Sequence, residues 1–358
     1  MAFGADAGPT FRPLRPACAR FAHLATRLLA SIAVLASALA GAQGIDAPRG
    51  DTRLVVFGDF NGPYGSTAYP APVAGVVDAI LQTWRPDLVV FTGDVVAGQS
   101  RSLTAEDLAS MWGAFDRDVA AKLRAARVPY ALTVGNHDAS SLQSGGEYAF
   151  PADRAAAREY WSRPEHRAGL ELLDSQDLPF HYSFTVGDVF VAVIDASSAA
   201  VTSERRSWLR DQLDSEAAQT AIARFVVGHL PLVPVSVGRD SPGESVSDAV
   251  PLAEVLSAGC ATAYVSGHHA AYYPGDWDGL ELLAAGGVGA RRLLGIDGAP
   301  RSTVTVVDVW HEPSRISYTT YDAVTLEPVP ADDLPARLPS GLTLSRRASG
   351  PVPIECGG

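Results

Sequence analysis

The sequence predicts an α/β fold in which two β-sheets pack face to face and helices flank them. Three observations carry that reading. Apolar, strand-like runs alternate with helix-like stretches from Leu54 to Val134, the βαβαβ pattern of a largely parallel sheet. Later in the chain come a hairpin signal and an antiparallel pair, which call for a second sheet or a mixed one. Finally, five of the apolar runs end in short polar blocks: Gly58-Asp59-Phe60-Asn61, Gly93-Asp94, Gly135-Asn136-His137-Asp138, Gly228-His229 and Gly267-His268-His269.

The elements follow in order. Leu54-Val55-Val56-Phe57 is continuously apolar, as a strand buried on both faces would be. A Gly/Pro/Tyr-rich loop runs to Pro72, and an amphipathic helix spans Val73 to Trp84, stopped before Pro86. Leu88 to Thr92 is the second strand. Thr104-Ala105-Glu106-Asp107 opens a helix with a capping-box pattern, expected to reach Arg127. Tyr130 to Val134 is the third strand. A Ser/Gly-rich loop, Ser140 to Gly146, precedes a helix over Asp153–Trp161. His181–Val186 and Val189–Ile194 read as strands joined by Gly187-Asp188. Ser203 to Ala217 reads as a helix with Ser203 as its N-cap; Leu209 and Leu213, at helical spacing with Trp208, read as core. Ile222–Val227 and Thr262–Ser266 are further buried strands, and Thr303–Trp310 pairs with Arg315–Tyr321.

The ends of the chain have a different character. Arg12, Arg15, Arg20 and Arg27 precede an apolar run from Leu28 to Ala40, with Ala38-Leu39-Ala40 as an A-x-A site and cleavage after Ala42 as the alternative. This is the layout of a signal peptide over residues 1–42. The run is shorter than the roughly 20 residues of a membrane span, so no stable span is expected after cleavage and the product is secreted, periplasmic or held in the cell envelope. Residues 43–52 read as a linker, 53–326 as the domain, and 327–358 as a Pro/Ser/Gly-rich tail that wraps or frays. Cys260 and Cys356 either remain thiols or pair; a bridge closing so long a loop would stabilise by about 4 kcal/mol in the chain-entropy view.

The formal net charge is −12, and Lys122 is the only lysine. Loss of a leader rich in arginine leaves the mature chain more acidic still. An acidic chain without a basic run is a poor nucleic-acid binder. Any phosphate it handles must be attracted locally, against the global field, which favours a small phosphorylated substrate.

The five blocks supply that local attraction. Asp59 and Asn61 lie two apart at a strand end and share a side. Asp94 ends the neighbouring strand, and one aspartate can bridge two ions. Asn136 offers an amide oxygen; His229 and His268 offer imidazole nitrogens. Hard oxygen and borderline nitrogen donors together suit Mn, Fe or Zn. A single Gly-Asp turn or lone histidine would signify little; five in series make a dinuclear metal site the expectation. His23, His166, His181 and His311 lie outside the series and carry no site role. Gly62-Pro63-Tyr64-Gly65-Ser66-Thr67 reads either as a substrate-holding loop or as a tight surface turn, and Tyr272-Tyr273-Pro274-Gly275 as a substrate rim or as packing.

The ordered series resembles the calcineurin-like metallophosphoesterase superfamily, whose pattern is D-x-H, G-D, G-N-H-[DE], a lone G-H and G-H-x-H. The resemblance spans residues 54–270, and Gly135-Asn136-His137-Asp138 is its most distinctive part. It implies a helix-flanked β-sandwich with two divalent ions at the loop edge. One ion would be held by Asp59, residue 61 and bridging Asp94; the other by Asp94, Asn136, His229 and His268. It implies phosphomonoester or phosphodiester hydrolysis by attack of a metal-bridging hydroxide, with His137 beside the scissile phosphate protonating the leaving group. Asp138 would orient His137 or point elsewhere.

Three departures stand out. The histidine of D-x-H is Asn61, and the second histidine of G-H-x-H is Ala270. Both losses fall on the first ion, so a weak first site is expected, with His269 as the nearest replacement ligand. Ala97 stands where the purple acid phosphatase branch has a tyrosine, so no tyrosinate chromophore is expected. The alternative to an enzyme is a degenerate member that binds metal or a phosphorylated ligand without turnover.

Overall fold

A computed structural model describes residues 47–167, 169–340 and 344–356, with Met1 and Gly4; the signal-peptide reading of 1–42 thus lies outside the described residues. Among the described residues no helix is long and apolar enough to cross a membrane.

The three expected parallel strands are β1 (Thr52–Phe57), β2 (Leu88–Phe91) and β3 (Tyr130–Leu132). They pair in parallel with Leu54 opposite Leu88 and Val89 opposite Tyr130. All their residues are buried, which is why they read as unbroken apolar runs. The small ribbon of β4 (Gln143–Ser144) and β5 (Glu147–Tyr148) follows within the Ser/Gly loop. Next come β6 (Glu171–Asp177), β7 (His181–Val186), β8 (Val189–Val193), β9 (Ala223–Val227), β10 (Ala263–Ser266), β11 (Tyr272–Trp277), β12 (Leu280–Ala285), β13 (Thr303–Trp310) and β14 (Arg315–Asp322). The tail adds β15 (Arg337–Leu338), β16 (Leu344–Arg346) and β17 (Val352–Pro353).

One sheet runs β17-β14-β13-β1-β2-β3; the other runs β15-β16-β11-β12-β10-β9-β8-β7-β6. The sheets face each other, with Val56, Val90 and Val307 meeting Val191, Phe225 and Val265 in one buried cluster. A second cluster seals the outer face of the larger sheet, where Leu209, Leu213, Leu252 and Leu256 from the helices Ser203–Leu213 and Ala249–Ala258 pack on Phe190, Val226 and Tyr264. The β7–β8 hairpin and the β13–β14 pair are antiparallel, as their patterns predict.

Several local expectations shift. The helix begun by the capping box at Thr104 does form the reciprocal Thr104–Asp107 bonds, but its turn widens to a π-helix over Asp116–Ala120. The first helix widens likewise over Ile80–Trp84 and ends on left-handed Arg85 just before Pro86. The N-cap of the helix Ser203–Leu213 is Thr202, whose hydroxyl accepts the Arg205 N–H, not Ser203. Tyr272 and Tyr273 are buried in β11, and the Tyr273 hydroxyl donates to Pro335 O, so packing and not a substrate rim explains the pair. β6, β11, β12 and the helix Ala249–Ala258 escape a reading of apolar period, because the alternation of β6 is nearly all solvent-facing and β11 carries Pro274 and Gly275.

The segment before β1 and the C-terminal tail are tied to the domain. Gly50 N–H donates to Asp308 Oδ1 at 2.8 Å, and Arg49 pairs with Asp87 at 2.9 Å. Buried Arg53 forms an ion pair with the same Asp308 at 2.8 Å. The tail adds strands to both sheets, and Cys356 forms a disulfide with Cys260, their Cα atoms 4.9 Å apart.

Candidate metal centre

All five polar blocks follow the C-terminal ends of strands: β1, β2 and the edge strand β3 of one sheet, β9 and β10 of the other. The two sheets therefore share one rim, and the blocks converge there. Their backbone is held in unusual conformations. Asp59, Asp94 and His268 have φ of 50°, 54° and 60°, left-handed values that side chains other than glycine seldom adopt. The neighbouring glycines permit the approach. A Cβ on Gly135 would lie 2.1 Å from Asp94 Oδ1, and one on Gly267 would lie 2.6 Å from Asp59 Oδ2.

One side of the rim is a complete donor set. His229 Nδ1–H donates to Thr92 O at 2.7 Å, which leaves the lone pair on Nε2. That nitrogen lies 3.4 Å from Asp94 Oδ2, 3.0 Å from Asn136 Oδ1 and 3.2 Å from His268 Nδ1. The Asn136 amide is oriented by Gln99, whose Oε1 accepts Nδ2–H at 2.8 Å and so turns Oδ1 toward the histidines. His268 Nε2 lies 3.0 Å from Glu244 Oε2, and Arg239, ion-paired to Glu244, places Nη1 2.9 Å from the same nitrogen. Donation of Nε2–H to Glu244 leaves Nδ1 facing the cluster. Asp94, His229 and His268 offer donor atoms that all lie within 4.8 Å of one another, and each residue is buried. Donors spaced like this fit a divalent ion about 2.1 Å from each.

Electrostatics agree with a site made for a cation. Burial would raise the Asp94 acid, but His229 and His137 beside it hold the carboxyl well below its usual range. Burial would lower His229, yet Asp94 and Asp59 raise it to about 9. Burial, with His229 beside it, pushes His268 down, which keeps it neutral and able to ligate.

The other side is poorer. Asp59 is buried and its Oδ2 accepts the His268 N–H at 3.0 Å. Burial lifts its acid to about 8, with Asp94 adding to the rise and His229 opposing it. Asn61 is half-buried; its N–H donates to Asp94 O at 3.1 Å, and its side chain makes no hydrogen bond among the described residues. Ala270 presents a buried methyl group where a second imidazole would be needed. The two-ion expectation thus meets a full set of donors on one side only.

For two residues the geometry shows partners other than those the suggested roles need. His269 is not a spare ligand: Nδ1 accepts the Val235 N–H at 3.1 Å and Nε2–H donates to Glu244 O at 2.9 Å, so both nitrogens are committed to backbone. Burial pushes it down to about 3. Asp138 does not orient the His137 ring. Its carboxylate accepts four backbone N–H groups, from Asp94, Val95, Val96 and Gly135, at 2.7–2.9 Å. It knits the second block to the third.

His137 stands at the mouth. Its N–H donates to Asp94 Oδ1 at 2.9 Å, and its Nδ1 lies 3.2 Å from Gly98 O. Donation there leaves Nε2 without a hydrogen bond among the described residues. The exposed Tyr64 ring sits 5.3 Å from the imidazole, centroid to centroid, which places the Gly62–Thr67 loop beside the site. Gln99, Glu244 and Arg239 were not legible in the sequence. Gln99 follows its block by five positions without a motif, and the other two sit in a Pro/Gly/Ser-rich stretch with the composition of a connector.

The model of one protein family, described as calcineurin-like phosphoesterase, matches residues 52–272. No curated protein sequence matches the chain. Among solved structures, purple acid phosphatase PPD1 from yellow lupin (Lupinus luteus) is similar at 15% identity and a TM-score of 0.54, covering 78% of this chain and 52% of the lupin chain. This chain therefore spans about half of the lupin enzyme. GAP50, titled the anchor in the inner membrane complex of Plasmodium, is similar at 14% identity and a TM-score of 0.52, covering 83% and 90%. Both likenesses are of fold.

Proposed function

The chain belongs to the calcineurin-like phosphoesterase family, and on that premise we propose that it is an exported, metal-dependent phosphoric ester hydrolase acting on a small phosphomonoester or phosphodiester. The observation that carries the reading is the convergence of Asp94, Asn136, His229 and His268 on one buried point, the last three each turned there by a partner behind it. A divalent ion held by these four would supply Lewis-acid charge to a phosphoryl oxygen and acidify a water.

The chain's own residues supply the rest. Thr92 O, Gln99 and Glu244 fix the tautomers and the amide orientation, so the donors are organised before any ion arrives. His137, with Nδ1–H held by Gly98 O, has Nε2 available to carry a proton to a leaving alkoxide. Tyr64 beside it can cover one face of the leaving group. Asp138 keeps the second and third blocks in register. The acidic net charge of the chain supports a small substrate over a polyanion. The Cys260–Cys356 disulfide supports a compartment outside the reducing cytosol.

A second reading, metal or ligand binding without turnover, is favoured by the poor first half of the centre. Hydrolysis of p-nitrophenyl phosphate and bis-p-nitrophenyl phosphate, with and without added Mn²⁺, separates the two. Metal-dependent release of nitrophenol is expected. No release under any added ion, from protein that retains metal, would leave the binding reading.

A further inference from the structure

Resting on that reading of the site, we infer that the centre holds one metal ion, not two, and that Arg291 supplies the second positive charge to the substrate's phosphoryl group. The first half of the rim lacks the donors for a second ion. Asp59 is its one carboxylate; position 61 is a neutral amide, Ala270 is a methyl group, and His269 is spent on backbone.

Arg291 is delivered to this edge by backbone bonds. After β12 the chain runs Gly286-Gly287-Val288-Gly289-Ala290-Arg291 along the first polar block. Val288 N–H donates to Gly58 O at 3.2 Å and Gly289 N–H to Asp59 O at 2.6 Å. Arg291 N–H then donates to Ala270 O at 2.9 Å, so it lies across from the residue that stands where a ligand is missing. Its guanidinium makes no hydrogen bond or ion pair among the described residues. Burial and the charge of Arg239 lower its pKa, and the carboxylates of Asp59, Glu244 and Asp94 oppose that fall. Arg239, the other cation nearby, is already neutralised by Glu244.

The same arginine also lines a neighbouring cavity of about 410 Å³ with Tyr272, Arg301 and the carboxylates Asp297, Asp322 and Asp333, a cavity that none of the metal donors lines. Thr303 Oγ1, buried and lacking a partner, belongs to that cavity too. A planar guanidinium presents paired N–H donors that match two phosphoryl oxygens, which a single spherical ion does not. An oxyanion bound between the metal ion and Arg291 would be held from two sides.

The test uses the purified chain saturated with Mn²⁺ and dialysed, with metal counted by elemental analysis and inorganic phosphate binding followed by calorimetry. One equivalent of metal is expected in the wild type and in Arg291→Gln. Phosphate affinity should fall about tenfold or more in Arg291→Gln and recover in part in Arg291→Lys, since a charged donor to an anion is lost and then replaced by a point charge. Two equivalents of metal in the wild type would overturn the inference. So would one equivalent with no phosphate binding, or with affinity unchanged in Arg291→Gln; those results leave the phosphoesterase reading standing. Absence of metal from the wild type would remove both.

Discussion

The two halves of the centre begin from the same device, a polar residue in a left-handed conformation just past a buried strand, and they end differently. On the Asp94 side, every donor has a partner that aims it: Thr92 O behind His229, Gln99 behind Asn136, Glu244 behind His268, and the His137 N–H on Asp94. On the Asp59 side, the carboxylate is turned to a backbone N–H and the remaining positions carry an amide and a methyl group. The difference teaches that a metal site lives in its supporting shell as much as in its ligands. Where the shell persists the donors converge; on the other side one carboxylate, a neutral amide and a methyl group remain.

The largest effect expected from breaking the comparison is at His229. His229→Ala should empty the intact half: retained metal falls from one equivalent to near zero, and turnover goes with it. Retained metal in that variant would remove His229 from the donor set. His137→Ala should lower turnover by roughly 10²–10⁴-fold, the usual weight of a general acid, with metal content unchanged. Metal loss there would assign His137 a ligand's role instead. Glu244→Ala removes the support behind His268 and should weaken metal affinity about 10–100-fold in a chelator competition; an unchanged affinity would show that His268 needs no such partner.

Acidity sharpens the same contrast. Asp94 and Asp59 hold metal-free His229 at about 9, so below that pH the ring is protonated and a metal ion must displace the proton. Metal affinity should therefore rise with pH up to about 9, by as much as tenfold per unit. An affinity flat between pH 6 and 8 would contradict this sign. The smallest effect on chemistry, though not on folding, is expected at Asp138. Asp138→Ala leaves four backbone N–H groups without their acceptor and should cost at least about 4 kcal/mol of stability, at about 1–3 kcal/mol for each buried donor left unmet. A melting temperature within a degree of the wild type would rule that out.

Much of this architecture was legible along the chain for physical reasons. Strands buried on both faces leave unbroken apolar runs, as at β1 and β2, and their C-terminal ends must carry whatever the rim uses. The rim donors Asp59, Asp94, Asn136, His229 and His268 thus announced themselves by position. What stayed hidden depended on tertiary approach. Nothing local distinguishes Glu244 or Arg239 from other residues of a connector, and the roles of Asp138 and His269 turned on which way adjacent side chains point. The tail's strands are two or three residues long, too short for any periodicity to show.

The central claim is that one half of the centre is a working metal site and the other is not. Elemental analysis of the purified chain after saturation with Mn²⁺ and dialysis tests it most directly. One tightly held equivalent, lost in His229→Ala, is the expected result; two equivalents, or one that survives His229→Ala, would contradict the account.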